Sequence, residues 1–412
     1  DVQITGSTLA DNIASGRGGA IELLQTNLTI TDSTLRDNSA TGSGGAVYSG
    51  SFTATTSISG STFRGNQSLN GRGGAVNVES GEVTISDSVF DDNSTGDGFG
   101  GAVSVDDEIT VLRSTFSNNT AMGDRVEGGA LHATSDVTVI DSLFSGNSAI
   151  GEEAHGGAIY SEGSDVTIIN STLTGNSVNG DDARGGGVYG DSVDVLAINS
   201  TIVDNHANST NAQGGGIFTG DGITLHNSIV SGNTDSGPNP EFDSYYVTVL
   251  NSLIGDNTGT GLAEDQTGAS GNFIGTAANP IEPLLGPLQN NGGPTFTHAL
   301  LPGSLAIDSG DNALAVDSTN ANAPLTSDQR GTLFVRQFGT NVDMGAFEVQ
   351  TLDASAFVVD NATDEFDGDY SDGDRSLREV VFLANLNAGT DAIIFDAALD
   401  GTPLLLSMGE MA

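Results

Sequence analysis

Residues 73–93 read GGAVNVESGEVTISDSVFDDN, and this stretch predicts β structure. Val76 and Val78 flank a polar residue, and residues 83–85 repeat the alternation of apolar and polar side chains. Alternation with a period of two is typical of strands that bury one face. Glycine, aspartate, serine and asparagine separate the apolar runs, as they do at tight corners between strands.

The same pattern returns along the first 257 residues as a motif of the type Ser-Thr-apolar-x-x-Asn. Neighbouring copies lie 24 to 29 residues apart. Self-similarity at such a period indicates a repeat architecture, in which each unit buries its apolar face against its neighbours. The motif ends at ten asparagines: Asn12, Asn38, Asn66, Asn93, Asn119, Asn147, Asn176, Asn205, Asn233 and Asn257.

Three short strands and three corners within one repeat describe a single rung of a β-solenoid. Stacked rungs align apolar residues in columns, and we expect one column to stack four rings inside the rod: Phe63, Phe90, Phe116 and Phe144. The asparagines tolerate a left-handed backbone at their corners, and we expect their amides to bond from rung to rung as a structural ladder. At a strand spacing of roughly 4.8 Å, ten rungs make a rod about 48 Å long.

The Gly-Gly-Ala-Ile/Val and Phe-x-x-Asn pair resembles the repeats of polymorphic outer-membrane-protein adhesins over about residues 1–257. More broadly, the pattern is similar to right-handed parallel β-helices of the pectate-lyase type. The resemblance implies an all-β fold, a right-handed parallel β-helix of about ten rungs with three short strands in each. It implies little about function, because this fold carries lyases, hydrolases, tailspikes and adhesins alike.

Charge and composition narrow the range of partners. The chain has 54 acidic residues, 11 arginines and no lysine, which gives a formal net charge of −43. Such a surface repels nucleic acid and anionic membranes, so we expect neither nucleic-acid binding nor membrane insertion. No cysteine is present, which excludes disulfides and thiol chemistry. We expect a secreted, extracellular protein at the cell surface, where salt or calcium screens the charge.

Residues 258–350 form a segment rich in glycine, proline and asparagine. Two of its motifs are similar to the choice-of-anchor Q domain at the end of β-helical bacterial surface proteins: Asp-Gln-Arg-Gly at 328–331 and Asp-Met-Gly-Ala-Phe-Glu at 343–348. The resemblance implies a terminal cap, which a solenoid needs to cover its open core and strand edge. We expect Arg330 to form a structural ion pair with an acid of the second motif, either Asp343 or Glu348.

Residues 351–412 begin a different unit. The sequence Ser-Leu-Arg-Glu at 376–379 resembles the start of many β-helices, and its serine and glutamate form a capping box. One short helix is predicted near 376–386, with strands after it. Rungs, a cap and the start module of a next β-helix unit therefore follow one another along the chain.

This order predicts head-to-tail assembly. We expect the open first rung to receive the C-terminal segment of a neighbouring subunit by strand addition, which leads to a filament or stalk. The alternative is a fragment of a giant tandem-repeat chain. The residues expected at this subunit interface are Val2, Ile4, Leu404, Leu405 and Leu406.

An outward position of the later rungs carries aliphatic side chains, including Ile140, Ile169 and Leu250. Contiguous exposed apolar area often marks an interface, so we expect this face to pack against a sister filament or another domain. Threonines at a neighbouring outward position are explained by their β-propensity.

The densest acidic run offers a candidate calcium site. Carboxylates separated by glycines on a flexible loop suit this cation. The candidate ligands are Asp367, Asp369, Asp372 and Asp374. The alternative is a solvated acidic linker between modules, and no organic cofactor is expected.

The catalytic motifs of pectin hydrolases with this fold are largely absent, and the lack of lysine excludes one of them outright. We therefore expect no catalytic residues. The sequence favours a structural or adhesive subunit of a large surface protein, which binds itself, other surface proteins or glycans. Two alternatives stay open: a polysaccharide lyase or glycoside hydrolase on the same scaffold, and a carbohydrate-binding spacer.

Overall fold

The computed structural model describes residues 1–50, 54–350, 354–366, 370, 373–386 and 391–407. It shows a right-handed parallel β-helix, as the repeat predicts, with nine complete rungs and a partial tenth. Each complete rung has four short strands, so the predicted three strands per rung are wrong. The extra strand arises because the residues directly after each ladder asparagine are extended and pair with the neighbouring rungs.

Equivalent strands of successive rungs pair in parallel and form four long sheets, and a short fifth sheet occurs in rungs five to seven. Sheet 1 consists of Val2–Thr5, Leu28–Thr31, Thr56–Ser59, Val83–Ser86, Ile109–Leu112, Val137–Ile140, Val166–Ile169, Val195–Ile198, Gly222–His226 and Tyr246–Leu250. Sheet 2 consists of Thr8–Ala10, Thr34–Arg36, Thr62–Arg64, Val89–Asp91, Thr115–Ser117, Leu143–Ser145, Thr172–Thr174, Thr201–Val203, Ile229–Ser231, Leu253–Ile254 and Phe273–Ile274.

Sheets 3 and 4 complete each rung. Sheet 3 consists of Ile13–Ala14, Ser39–Ala40, Gln67–Ser68, Ser94–Thr95, Thr120–Met122, Ser148–Ile150, Ser177–Asn179, His206–Asn208 and Thr234–Asp235. Sheet 4 consists of Ile21–Leu23, Val47–Ser49, Val76–Val78, Val103–Val105, Leu131–Ala133, Ile159–Ser161, Val188–Gly190, Ile217–Thr219 and Phe242–Asp243. Sheet 5, which lies between them along the chain, consists of Arg125–Glu127, Glu153–His155 and Asp182–Arg184.

The remaining elements are short. Two antiparallel pairs join Leu285–Gln289 to Thr297–Leu300 and Val316–Asp317 to Ala323–Pro324. One parallel pair joins Val358–Val359 to Ile394–Phe395. In the part of the chain that the structure describes, the helical elements are an α-helix at Leu377–Leu386 and two 3₁₀ turns at Ala354–Phe357 and Ala397–Leu399.

The rod interior is a single apolar cluster that runs through all rungs. The predicted phenylalanine stack is confirmed: the centroids of adjacent rings lie 4.6 to 4.7 Å apart, and the ring planes differ by 4°. Rings at this spacing follow the strand spacing, so each phenylalanine both fills its own rung and contacts the next.

The left-handed residue at the ladder corner is not the asparagine but the residue before it. Its φ angle is positive in most rungs, and aspartate, asparagine or glycine fills the position, as in Asp37, Gly65, Asp92, Asn118, Gly146, Gly175, Asp204 and Gly232. These residue types adopt the left-handed backbone conformation at the lowest steric cost. The chain turns there, and the following asparagine side chain is directed into the interior.

Residues 258–281 cover the end of the last rung. Leu262 and Ile274 pack against the interior cluster, and the strand Phe273–Ile274 extends sheet 2. Nδ2 of Asn272 donates to the backbone oxygen of Val249 at 3.0 Å, which satisfies one group of the last strand of sheet 1.

Residues 284–349, here called the side segment, lie along the outer face of the later rungs rather than over the end, so the predicted terminal position is wrong for them. Val203, Ile229 and Leu253 point outward from sheet 2 and are buried with Met344 of the side segment. The aliphatic face predicted to meet another filament or domain is a different one, at the last position of the sheet 1 strands. Of its residues Ile169 is fully buried, Ile140 is half-buried and Leu250 is exposed.

Buried polar contacts fasten the side segment to the rod. Gln329 accepts a hydrogen bond from the hydroxyl of Thr172 at 2.6 Å and donates to the backbone oxygen of Ser142 at 3.2 Å. Nδ2 of Asn170 donates to the backbone oxygen of Ser327 at 2.8 Å. Buried hydrogen bonds of this kind hold the side segment at one position on the rod, because each polar group would cost free energy if it were left unpaired.

The predicted ion pair of Arg330 has different partners. Nη2 of Arg330 lies 2.6 Å from Oδ2 of Asp328, two residues earlier, and the guanidinium sits over the rings of Phe334 and Phe347. Glu348 pairs instead with Arg336, whose side chain is fully buried, at 2.8 Å.

The second acid of that prediction, Asp343, accepts backbone N–H groups. Its Oδ1 accepts from Asp308 at 2.6 Å, and its Oδ2 accepts from Val349 at 2.6 Å. Both motifs of the side segment therefore build its internal framework.

The α-helix Leu377–Leu386 begins with the predicted capping box. The backbone N–H of Ser376 donates to Glu379 Oε2 at 2.9 Å, and the N–H of Glu379 donates to Ser376 Oγ at 3.2 Å. Val380 and Leu383 of this helix share an apolar cluster with Phe334 of the side segment. The C-terminal unit thus packs on the side segment.

Candidate functional site

The amide ladder runs without a break through the first nine asparagines. In rung four, Nδ2 of Asn93 donates to Oδ1 of Asn119 at 3.0 Å and to the backbone oxygen of Phe63 at 2.9 Å. The backbone N–H of Asn93 donates to the same Oδ1 at 3.0 Å. From Asn38 to Asn205 these side chains are fully buried. Each therefore provides hydrogen bonds to the backbone groups of a corner that water does not reach.

Asn257 is not part of the ladder, so the prediction is wrong there. Nδ2 of Asn233 donates to Oε2 of Glu241 at 2.8 Å, and Asn257 bonds to the backbone oxygen of Leu262 instead. The partial tenth rung has no strands in sheets 3 and 4, so its corner does not stack on the ninth. Burial raises the pKa of the Glu241 carboxyl to about 8, although N–H donors from Asn233 and Gly232 oppose the shift.

Glu241→Gln is expected to change the pH dependence of stability. The carboxyl has an ordinary pKa of 4.5, but in the fold its pKa is about 8, so the folded protein keeps a proton that the unfolded chain loses. Relative to the variant, the free energy of unfolding of the wild type therefore falls as the pH rises from about 4.5 to about 8, and is constant below that window. Urea titrations across this range measure the difference.

The control for that experiment is Glu264→Gln, which alters an exposed acid. It should track the wild type at every pH. A difference between wild type and Glu241→Gln that stays constant across the window would contradict a buried, protonated Glu241.

A second ladder was not predicted. The backbone N–H of each motif serine donates to the hydroxyl of the next serine, at 3.0 to 3.3 Å, through nine successive contacts. The signal was present in the sequence, because the first residue of the motif is serine in all ten copies: Ser7, Ser33, Ser61, Ser88, Ser114, Ser142, Ser171, Ser200, Ser228 and Ser252.

The residues predicted for the subunit interface lie in two places. Val2 and Ile4 lie on the outermost strand of sheet 1 and pack, half-buried, against the interior cluster. Leu404, Leu405 and Leu406 lie in a segment without regular secondary structure. Leu405 is 77% exposed and Leu406 48% exposed.

Three of the calcium candidates, Asp367, Asp369 and Asp372, lie outside the described residues. The fourth, Asp374, accepts a hydrogen bond from Nδ2 of Asn361 at 3.2 Å. Within the described ranges, no group of three histidine or acidic side chains is placed to hold a metal ion. Calcium binding stays a prediction.

The outer face of sheet 4 gathers side chains that the repeat motif does not explain. The second residue of each sheet 4 strand points away from the interior, because side chains alternate along a strand. We call this row the outer column, and from rung one to rung nine it reads Glu22, Tyr48, Asn77, Ser104, His132, Tyr160, Tyr189, Phe218 and Asp243.

Aromatic rings stack along the later part of the outer column. The ring centroids of His132 and Tyr160 lie 5.4 Å apart, and those of Tyr160 and Tyr189 lie 5.1 Å apart. Phe218 continues the stack at 5.1 Å, and Phe99 packs on the other side of His132 at 5.0 Å. The rings form a continuous stacked column along this side of the rod.

The buried carboxylate of Glu127, in sheet 5, bonds to a residue of this stack. Glu127 Oε2 lies 3.2 Å from Nε2 of His132, and Oε1 lies 2.6 Å from Nη2 of Arg125. Burial raises the pKa of the Glu127 carboxyl, but hydrogen bonds and charge from His132 and Arg125 outweigh it and lower the pKa overall. Burial lowers the pKa of His155, which stacks on Tyr189 at 4.5 Å.

Two cavities flank the outer column. One of about 510 Å³ lies beside Asp182, Arg184 and Asn211 in the later rungs. The other, of about 370 Å³, lies above Asn77 in the earlier rungs, between Arg72 and Glu79. Both are polar recesses on the flank of the rod.

Comparison with known families agrees with this architecture. Residues 2–144 match the family model described as a right handed beta helix region, and residues 141–162 match the Chlamydia polymorphic membrane protein repeat. The chain therefore folds as a right-handed parallel β-helix, and one of its segments is similar to the polymorphic membrane protein repeat. Comparisons with curated proteins and with solved structures found no match.

The similarity indicates a surface-type repeat protein. Among the described residues, no helix has the length and apolar character to cross a bilayer.

Proposed function

We propose that this chain is a structural and adhesive unit of an extracellular cell-surface protein, and that its rungs continue from one subunit into the next. The match to the polymorphic membrane protein repeat supports a non-catalytic surface role. The unbroken amide ladder supports a mechanical role, because every complete rung is bonded to its neighbours at the same corner.

The apolar side chains of the first rung carry this proposal. In the described part of the chain, the strand Val2–Thr5 and the other strands of the first rung pair on one side only. Val2, Ile4 and Leu9 are half-buried at this edge and pack against the interior cluster. A further rung placed there would bury these side chains and pair the free backbone groups.

The segment at 402–407 has the features of a strand that could occupy this edge. Leu404 and Leu406 are separated by one residue, as Val2 and Ile4 are, so both pairs can share one face of an extended sheet. Leu405 would then point outward. Strand addition of this kind combines backbone hydrogen bonds with burial of alternate side chains.

Leu406→Asp is expected to abolish assembly, because the substitution places a charge in the rod interior. Sedimentation velocity over a wide concentration range measures the effect: the wild type should form species that grow with concentration, and the variant should stay monomeric. Val2→Asp on the receiving strand should act in the same way.

Leu405→Asp is the matched control, since the proposed register leaves this side chain in solvent. It should assemble like the wild type. A strictly monomeric wild type at all concentrations, or equal loss of assembly in Leu405→Asp and Leu406→Asp, would overturn the proposed register and with it the head-to-tail contact.

A further inference from the structure

We infer that Asp141 makes the docking of the side segment on the rod sensitive to pH. As a neutral carboxyl it fits the contact as an asparagine would, and as a carboxylate it weakens the contact. The inference concerns how residues 284–349 are held on the later rungs. It does not depend on the proposed head-to-tail assembly, which involves the first rung.

The residue after each strand of sheet 1 forms a row at the corner towards sheet 2, which we call the corner column. From rung two to rung nine it reads Asp32, Gly60, Asp87, Arg113, Asp141, Asn170, Asn199 and Asn227, and φ is positive at every one of these positions. Aspartate and asparagine both adopt this left-handed conformation. The backbone therefore does not explain why asparagine replaces aspartate in the later rungs.

The asparagines of the corner column hold the side segment. In rungs seven, eight and nine, Nδ2 of the asparagine donates to a backbone oxygen of that segment. The pairs are Asn170 with Ser327 at 2.8 Å, Asn199 with Asp343 at 3.3 Å, and Asn227 with Asp311 at 2.9 Å. An amide suits this role because its NH₂ group donates at every pH.

Asp141 lies in rung six, under the same segment, but its side chain is an acid. The hydroxyl of Thr295 donates to the backbone oxygen of Asp141 at 3.3 Å, and Nε2 of Gln329 donates to that of Ser142 at 3.2 Å. Asp141 is half-buried as a residue, yet its Oδ1 atom is buried and has no hydrogen-bond partner among the described residues. A carboxylate oxygen is costly in such a place, whereas a protonated carboxyl carries a donor, as an amide does.

The charged groups that face Asp141 come from the neighbouring rung and from the side segment. Arg113 in rung five attracts the carboxylate, but it also pairs with Asp87 at 2.6 Å. Asp328 and Asp317 of the side segment repel it. Burial is the largest effect and, with these two acids, raises the pKa of the Asp141 carboxyl from 3.8 to about 7, against the opposing effects of Arg113 and of the amide in the next rung.

The direction of the pH dependence follows from linkage. Between about pH 3.8 and about pH 7, the docked state keeps a proton that the undocked state loses. Docking is therefore strongest below this window, weakens as the pH rises through it, and is constant above it.

Asp141→Asn tests the inference, because the amide matches the neutral carboxyl in shape and does not titrate. Hydrogen exchange of residues 293–336, measured by mass spectrometry, reports how often the side segment opens. The ratio of the wild-type rate to the variant rate cancels the intrinsic pH dependence of exchange. It also cancels other ionisable groups of the segment, such as Glu348 and His298. This ratio is expected to rise at least about ten-fold from about pH 5 to about pH 8.

The matched control is Asp32→Asn, which changes the corner column in rung two, where the described chain has no hydrogen bond to the side segment. Its ratio to the wild type should be the same at every pH. Circular dichroism confirms that both variants fold. A ratio for Asp141→Asn that does not change with pH, or equal slopes for the two variants, would overturn the inference. Sedimentation of Asp141→Asn should match that of the wild type, which separates this result from the assembly test.

Discussion

Asn119→Ala is expected to lower the free energy of unfolding by about 3 to 5 kcal/mol. The change removes the acceptor for two N–H donors of Asn93 and the donor to the backbone oxygen of Phe90, all of them in the dry interior. Each buried group left without a partner costs about 1–3 kcal/mol, because the unfolded chain bonds it to water. Urea unfolding followed by circular dichroism measures the loss.

The same substitution at the first rung, Asn12→Ala, is the matched control. Asn12 is exposed, and its side chain donates to Asn38 without accepting from another ladder asparagine in the described chain. The expected cost is below about 1 kcal/mol. Equal effects at positions 12 and 119 would show that the ladder does not stabilise the rod through buried hydrogen bonds.

Arg336→Met is expected to destabilise the side segment by about 3 to 5 kcal/mol. The fully buried guanidinium of Arg336 pairs with Glu348 at 2.8 Å and donates to the backbone oxygen of Asp343 at 3.0 Å. Removing one partner leaves the carboxylate of Glu348 buried without its cation, which is more costly than removing both charges. Urea unfolding and limited proteolysis within residues 284–349 measure the effect.

A double-mutant cycle gives the control. Arg336→Met combined with Glu348→Gln removes both charges, keeps an acceptor for one of the two backbone N–H groups of Asp343 and Phe338, and should recover part of the lost stability. If the double variant is as unstable as the sum of the single variants, the two residues do not act as a pair, contrary to expectation.

The interior of the rod could be predicted from the sequence because every rung must bury apolar side chains at the same positions of the motif. A column such as Phe63 to Phe144 is apolar at one fixed position of the motif, and stacking at the strand spacing follows directly. The fourth strand of each rung was missed because it is two or three residues long and carries little apolar alternation, as in Gln67–Ser68. Short polar strands leave a weak pattern.

The position of the side segment could not be predicted from local patterns, because it depends on contacts across more than a hundred residues. Gln329 bonds to Thr172 and Ser142, which lie 157 and 187 residues away in sequence. The sequence of the rod did contain a signal that another segment covers it. The outward positions of sheet 2 change to aliphatic residues such as Leu143, Val203 and Ile229, and these need a cover.

The polar face of sheet 4 was missed for a different reason. Its residues share a position in the repeat but not a residue type, so they form no motif. Tyr48, Asn77 and Ser104 occupy equivalent sites in successive rungs, and only their alignment in the sheet groups them. Asn257 failed as a ladder member for a related reason, since the tenth rung keeps the motif but lacks the strands that would position it.

Cryo-electron microscopy of the protein at high concentration tests head-to-tail continuation most directly. The expected result is a filament in which the rung spacing of roughly 4.8 Å runs unbroken across the subunit boundary. Residues 402–407 of one subunit should pair there with Val2–Thr5 of the next. Isolated rods at every concentration, or filaments built from side-by-side contacts with the first-rung edge still open, would contradict it.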